Sequence, residues 1–132
     1  IAMRPGRPMA FGRIGAAWYL GLPGNPVAVM VTFYFFARLA LRALAGATPQ
    51  ADPLVRAAST TEIRKRVGRT EYQRGCLQID RDGRSTVTLT GSQGSGVLRS
   101  MSQANCMIVL HHDQGTVAAG DPVDCLPFEG LI

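Results

Sequence analysis

Two short loops near the start of the chain carry residues that could bind an anion. The first, Arg4-Pro5-Gly6-Arg7-Pro8, presents two guanidinium groups around a proline-stiffened turn, and guanidinium groups suit oxyanion recognition. The second, Gly21-Leu22-Pro23-Gly24-Asn25-Pro26, joins an apolar run to a helical pattern. A strand–turn–helix connection leaves backbone N–H groups unpaired at the positive end of the helix dipole. The sequence therefore predicts an anion site.

The second loop is expected to be stiff before a ligand binds. Pro26 suits the first helical position and Asn25 is a favoured N-cap. Because Pro23 and Pro26 flank Gly24 and Asn25, little ordering entropy is lost on binding. The same residues are also typical of a β-turn before a helix that binds nothing, and spacing alone leaves both interpretations open.

The elements around these loops indicate how they meet. The residues up to Met3 resemble the end of a strand, and residues 16–20 form an apolar run that is long enough for a buried strand and too short for an ordinary helix. Strand ends and helix N-termini lie at the same edge of an open α/β sheet. We therefore expect Arg4 and Asn25 at one edge of a parallel or mixed sheet.

A long apolar helix follows the second loop. It is predicted from Pro26 to about Ala45, with Gly46 as its C′ residue and Arg38 and Arg42 as a solvent-facing stripe. Residues 14–37 carry no charge, but the two prolines and three glycines among them disfavour a membrane span, and no membrane partner is expected.

The second half of the chain has a different pattern of apolar runs and turns. Short β-like runs separated by turns predict a small β-barrel or sandwich at 54–132, after an α/β portion at 1–46 and a linker at 47–53. The fold class is thus α/β followed by a small all-β, barrel-like domain. The expected strands are 54–61, 72–79, 86–89, 106–110 and 123–126.

Composition sets broad limits. The chain has 132 residues and a net charge of +5, and Lys65 is its sole lysine among fourteen cationic residues. Three cysteines without close spacing favour a reducing compartment, and we expect a cytoplasmic location. The chain opens on Ile1, so an upstream part is expected to be missing.

Other candidate motifs in the second half are weaker. The run Arg64-Lys65-Arg66 with Arg69 predicts either a local basic patch or, with better support, a solvated strand edge. Residues 93–96 lack the ending of a P-loop and fit a turn better. His111-His112-Asp113 favours a surface loop over a metal site, so no residue is assigned as a metal ligand.

A series of short motifs occurs in a fixed order along the chain: Met3 to Pro8, Phe11-Gly12, Gly21 to Val27, Gly68-Arg69, Tyr72, Arg74-Gly75, Gln93 to Gly96, Ser100-Met101, Ala104 to Cys106, Ile108 to Leu110, Ala119 to Asp121 and Val123. This ordered series resembles the molybdopterin molybdenumtransferase family, to which the catalytic domain of gephyrin also belongs. The match spans essentially the whole chain, whereas the shorter molybdopterin adenylyltransferase group lacks the β-domain.

The resemblance implies an enzyme that inserts molybdate into adenylated molybdopterin and releases AMP, with a divalent cation such as Mg²⁺, in a homodimer. It assigns Pro23 and Pro26 as catalytic loop residues. Arg4, Arg7, Gly24 and Asn25 are implied to bind substrate by charge-assisted hydrogen bonds and aimed amides.

Two departures and two rival functions qualify this assignment. Arg7 replaces the family's usual lysine, and Ala28 replaces a frequent serine. Because the family's acidic metal ligands and pterin loop lie upstream, we expect the piece alone to bind weakly and turn nothing over. The rivals are a nucleic-acid-binding β-module, disfavoured by the lack of interleaved aromatic residues, and a partner-binding scaffold. No nucleic-acid partner is expected.

Overall fold

The computed structural model of the chain describes residues 3–4, 10–22, 26–48, 53–90 and 103–128. Eight strands and one helical segment make up these ranges. The strands are β1 (Met3–Arg4), β2 (Ala10–Ile14), β3 (Ala17–Gly21), β4 (Val55–Ser59), β5 (Thr70–Ile79), β6 (Ser85–Leu89), β7 (Cys106–Leu110) and β8 (Pro122–Pro127), and the helical segment comprises α1 (Pro26–Thr32), a π-helical turn (Phe33–Ala37) and α2 (Arg38–Leu44).

Five strands close into a small barrel. They follow the order β5-β6-β4-β8-β7, and β7 pairs back onto β5, so that the ring is complete. The closure is possible because β5 is ten residues long: its first half pairs with β7 and its second half with β6. Closure removes the unpaired edges that an open sheet of this size would expose.

The barrel is filled by alternate side chains. Cys106, Ile108 and Leu110 of β7 belong to the interior cluster together with Val87 and Val123, and all are buried. Met107 and Val109, the residues between them, belong to a second cluster on the outside of the barrel. Because both faces of β7 are covered, its sequence is continuously apolar.

The helical segment covers that second cluster. Val31 is buried in it, Phe35 stacks on Tyr72 of β5 with ring centroids 4.1 Å apart, and Tyr34 stacks on Phe128 at 6.0 Å. The helix runs over the predicted residues and begins at Pro26, as expected. The π-helical turn in its middle was not anticipated from the pattern.

The helix ends as the sequence predicts. Gly46 has φ +84°, which a residue with a side chain adopts only at a cost. Its N–H donates to Ala43 O, and the N–H of Ala47 donates to Arg42 O at 3.0 Å. This pair of bonds is a Schellman motif, so Gly46 is the C′ residue.

The predicted solvent stripe is wrong at Arg38. Arg38 is only 7 % exposed, and its Nε donates a long hydrogen bond to Tyr34 O at 3.4 Å. Arg38 directly follows the π-helical turn, and its backbone N–H reaches back five residues to Phe33 O. A wider turn changes which residues share a face, so the i, i+4 spacing with exposed Arg42 did not predict the burial of Arg38.

The run at 16–20 forms a strand, as predicted, but this strand is exposed and not buried. Strand β3 pairs antiparallel with β2 in a two-stranded hairpin that is separate from the barrel sheet in the described residues. Trp18 and Tyr19 are each 49 % exposed. The expected shared edge of a parallel or mixed sheet therefore does not include β2 and β3, because the Gly15 turn folds them onto each other.

The predicted fold class is confirmed, with a helical first part and a closed β-barrel in the second. The five expected barrel strands all occur, and the Asp80–Arg84 turn joins β5 to β6 with Asp80 Oδ1 accepting from the N–H groups of Asp82 and Arg84. The domain boundary at 47–53 stays a prediction. No helix within the described ranges is long and apolar enough to cross a membrane.

Candidate functional site

Strand β1 joins the start of the chain to the barrel. It runs parallel to β5, with Met3 opposite Thr70 and Arg4 opposite Glu71. Neighbouring strands lie about 4.8 Å apart. The backbone of Arg4, the residue predicted to bind an anion, is therefore fixed beside that of Glu71, which is more than sixty positions away in the sequence.

Glu71 is a buried carboxylate with a strong partner. It is 6 % exposed, its Oε1 accepts a hydrogen bond from Arg69 Nε at 2.8 Å, and Arg69 Nη2 lies 2.8 Å from the same oxygen as an ion pair. Its Oε2 accepts a longer bond from Gln73 Nε2 at 3.3 Å. A buried charge is costly without a partner, and Arg69 supplies that partner by direct contact.

Lys65 lies in the same neighbourhood. Its Nζ donates to Gln114 O at 2.7 Å and Arg66 O at 3.0 Å, and the residue is 7 % exposed. Burial lowers the pKa of Lys65, and the Glu71 carboxylate partly offsets that lowering, whereas Arg69 adds to it. Glu71 thus lies within electrostatic range of two cations from the preceding loop.

The basic run does not form the local patch that was the less favoured prediction, and Lys65, at 7 % exposed, does not fit the favoured prediction of a solvated strand edge. Lys65 points its ammonium group into the loop, and Arg69 is engaged by Glu71. Arg64 is 93 % exposed at its side chain, with Glu62 at 3.6 Å. Two of the four cations are therefore committed to structure, which disfavours a phosphate-tracking surface for nucleic acid.

The predicted loop residues are only partly described. Pro26 is the first residue of α1, as expected, and Arg4 is the second residue of β1. Pro23, Gly24, Asn25 and Arg7 lie outside the described residues, as do residues 93–96. Whether the two loops share one rim stays a prediction.

The histidine pair lies on the surface, as predicted. His111 Nε2 and Asp124 Oδ2 are 2.6 Å apart, and His112 Nδ1 is 3.0 Å from Asp113 Oδ1. Both histidines are exposed in a turn after β7. Across the described ranges, no group of three or more His, Cys, Asp or Glu residues could hold a metal ion.

The three cysteines are free thiols, and two of them lie inside the barrel. Cys106 and Cys125 are fully buried, whereas Cys76 is half-buried. A hydrogen bond between the two buried thiols, together with burial, raises the pKa of Cys106. A thiol that keeps its proton is a poor nucleophile, so Cys106 is suited to packing rather than to covalent chemistry.

Sequence reasoning did not place Glu71 beside the predicted anion-binding residue Arg4. It is one acidic residue in a strand, and no motif marks it. Its proximity to Arg4 depends on a parallel pairing between distant segments, which local periodicity does not reveal. Burial of a charged residue was the one signal that could have directed attention to it, and burial is known only from the structure.

A family comparison agrees with this architecture. The model of the MoeA C-terminal region (domain IV) matches residues 56–128, which is more than half of the chain. The chain belongs to the MoeA family. The matched residues contain all five strands of the barrel except the first residue of β4, so the family match and the closed fold describe the same unit.

Relatives of this MoeA-family chain match it beyond the barrel. The molybdopterin molybdenumtransferase of Haemophilus influenzae is 40 % identical over 133 residues, covering 100 % of this chain and 33 % of that protein. The same enzyme name belongs to a Nostoc protein, 34 % identical over 93 % of this chain and 29 % of its own length. The chain thus spans about a third of the length of these relatives.

Solved structures agree in fold. A molybdenum cofactor biosynthesis protein from Pyrococcus furiosus matches with a TM-score of 0.71 at 30 % identity, covering 96 % of this chain and 43 % of that one. A molybdopterin biosynthesis moeA protein from Pyrococcus horikoshii gives 0.72 at 24 % identity, covering 96 % and 30 %. The second likeness supports the fold alone.

Proposed function

We propose that this chain is part of an enzyme of molybdenum cofactor biosynthesis that inserts molybdate into adenylated molybdopterin and releases AMP. The observation that carries the proposal is the match to the Haemophilus influenzae molybdopterin molybdenumtransferase over the whole chain at 40 % identity. That match includes the segment with Arg4 and Pro26 as well as the barrel. A barrel-only match would have supported the fold and nothing more.

In this proposal the cationic start of the chain binds the oxyanion. Arg4 and Arg7 hold molybdate or phosphate oxygens by charge-assisted hydrogen bonds. The amides of Gly24 and Asn25 complete the rim, and Pro23 and Pro26 keep that loop in shape, so that less ordering entropy is lost when the ligand binds. The pairing of β1 with β5 supports this, because it fixes Arg4 against a closed barrel.

We propose Mg²⁺ as a requirement of the whole enzyme rather than of this portion. The described residues hold no group of three or more metal-binding side chains, so they do not fit a divalent cation. No step of the reaction is therefore assigned to Mg²⁺ here. Assembly as a homodimer and a cytoplasmic location are likewise proposed for the whole protein.

The test is turnover in the full-length protein. Purified protein is incubated with adenylated molybdopterin, molybdate and Mg²⁺, and AMP is quantified by chromatography. We expect AMP release that depends on molybdate, and Arg4→Glu should abolish it because the substitution reverses the charge at the oxyanion. Release of AMP without molybdate, or unchanged release by the variant, would contradict the proposal.

A matched control separates charge at the site from net charge. Arg64→Glu makes the same reversal at a side chain that is 93 % exposed. We expect it to leave AMP release within about twofold of the wild type, since exposed charges are screened by solvent and salt. Equal losses in the two variants would indicate long-range steering instead of direct binding.

A further inference from the structure

Strand β1 brings the cationic residue Arg4 next to the acidic residue Glu71, and these opposite charges affect anion binding in different directions. Arg4 is paired in the backbone register with Glu71, and Glu71 is buried. A buried carboxylate one strand away repels any anion that binds near Arg4, because water does not screen it there. Oxyanion affinity at this position therefore depends on how that negative charge is compensated.

Arg69 supplies the compensation by direct contact. Two of its nitrogen atoms, Nε and Nη2, are each 2.8 Å from Oε1 of Glu71. Its side chain is 39 % exposed while that of Glu71 is 7 % exposed, so the pair spans the boundary between the interior and the surface. Lys65, which is within electrostatic range of Glu71, adds a second cation.

We propose that Arg69 preserves the oxyanion affinity of the Arg4 position by neutralising the Glu71 carboxylate, as a charge-compensating positioning residue that does not itself touch the anion. This inference rests on the proposed function, because it assumes that Arg4 binds an oxyanion. It gives Arg69, a member of the basic run, a role that does not involve nucleic acid.

The test is a double-mutant cycle in the full-length protein, with inorganic molybdate as the probe and calorimetric titration as the measurement. Arg69→Gln removes the cation that contacts Glu71, and we expect molybdate affinity to fall by about five- to tenfold, the size of one unit charge acting across one or two strands. Arg69→Gln combined with Glu71→Gln removes both charges. The double variant should return to within about twofold of the wild type, since the pair then contributes no net field.

A merely structural role predicts a different pattern. If Arg69 served only to hold the loop, the double variant would bind no better than Arg69→Gln, and that result would overturn the inference. Circular dichroism on each variant identifies loss of fold. Arg64→Gln is the matched control, because it removes a charge from the same run without touching Glu71, and its affinity should equal that of the wild type.

The outcomes also separate this inference from the function on which it rests. Suppose that the wild type binds molybdate, that Arg4→Gln abolishes this binding and that Arg69→Gln does not weaken it. That result would overturn the role of Arg69 and leave the proposed function standing. Wild-type protein that shows no molybdate binding would overturn both. Lower affinity in Arg69→Gln that recovers in the double variant supports the inference.

Discussion

Strand β7 and the β2–β3 hairpin have similar apolar sequences and opposite environments. All five residues of β7 are buried, because the barrel interior covers one face and the helical segment covers the other. In the hairpin, Trp18 and Tyr19 are about half exposed, and within the described residues no third strand pairs with it. Whether a strand is buried thus depends on closure of the barrel and on the helical segment that covers its outer face, not on the hydrophobicity of the strand itself.

The largest expected effect is the loss of a barrel-filling side chain. Ile108 is fully buried in the interior cluster. Ile108→Ala should lower the free energy of unfolding by about 2–5 kcal/mol, because it combines lost burial with a cavity that rigid strands cannot collapse. The measurement is urea unfolding followed by circular dichroism.

The same substitution in the hairpin is the control. Ile14 is 71 % exposed, so Ile14→Ala should change the free energy of unfolding by no more than about 0.5 kcal/mol. Comparable losses at the two positions would mean that the hairpin is covered in solution. The difference in burial between strand β7 and the β2–β3 hairpin would then not hold.

The second expected effect comes from adding a methyl group instead of removing atoms. A Cβ at Gly75 would meet Ile108 Cδ1 and Val87 Cγ2, each at 2.9 Å, inside the closed barrel. Gly75→Ala should cost about 1–3 kcal/mol by overpacking. At Gly12 in the hairpin no atom lies within 4 Å of such a Cβ, so Gly12→Ala should be near neutral in the same unfolding measurement.

The barrel was more predictable than the hairpin for a physical reason. The strand expected at 106–110 occurs with those bounds, because a continuous apolar run between turn signals fits a strand covered on both faces. The run at 16–20 carried the same signal and folded into an exposed hairpin. An apolar composition indicates that a segment could be buried. Whether another element covers it is decided by tertiary packing, which a local pattern does not reveal.

The candidate site was predictable only in part. The helix start at Pro26 followed from capping preferences, which act over a few residues. The juxtaposition of Arg4 with Glu71 depends on strand pairing across the chain, and the burial of Lys65 depends on carbonyl groups of a distant loop. Local propensities carry no information about either contact.

A smaller effect is expected from the pH dependence of stability. Burial raises the pKa of the Tyr72 phenol above its ordinary value of 10.0. Above pH 10 the unfolded chain therefore loses this proton before the folded chain does, so the free energy of unfolding should fall as the pH rises further, while below that pH the phenol contributes no such loss. Unfolding by urea at pH 8 to 11 measures the slope.

Tyr72→Phe isolates this contribution, because it keeps the ring that stacks on Phe35 and removes the phenol. Lys65, whose pKa is lowered by burial, favours the folded state as pH rises in the same range, so only the difference between wild type and variant is informative. We expect the variant to lose less stability above pH 10 than the wild type. Parallel curves would show that the Tyr72 phenol has no raised pKa.

The smallest expected effect is the loss of the hairpin's own aromatic contacts. Trp18 stacks on Phe11 with ring centroids 5.5 Å apart, and the Arg13 guanidinium lies 5.4 Å from the Trp18 ring. Such contacts are worth about 0.5–1 kcal/mol at exposed positions, so Trp18→Ala should cost no more than that in urea unfolding. Trp18 is the sole tryptophan, so its fluorescence reports on the hairpin alone, and iodide should quench it readily. Weak quenching combined with a loss as large as that of Ile108→Ala would show that another surface covers this hairpin, and that closure of the barrel is not what separates the two regions.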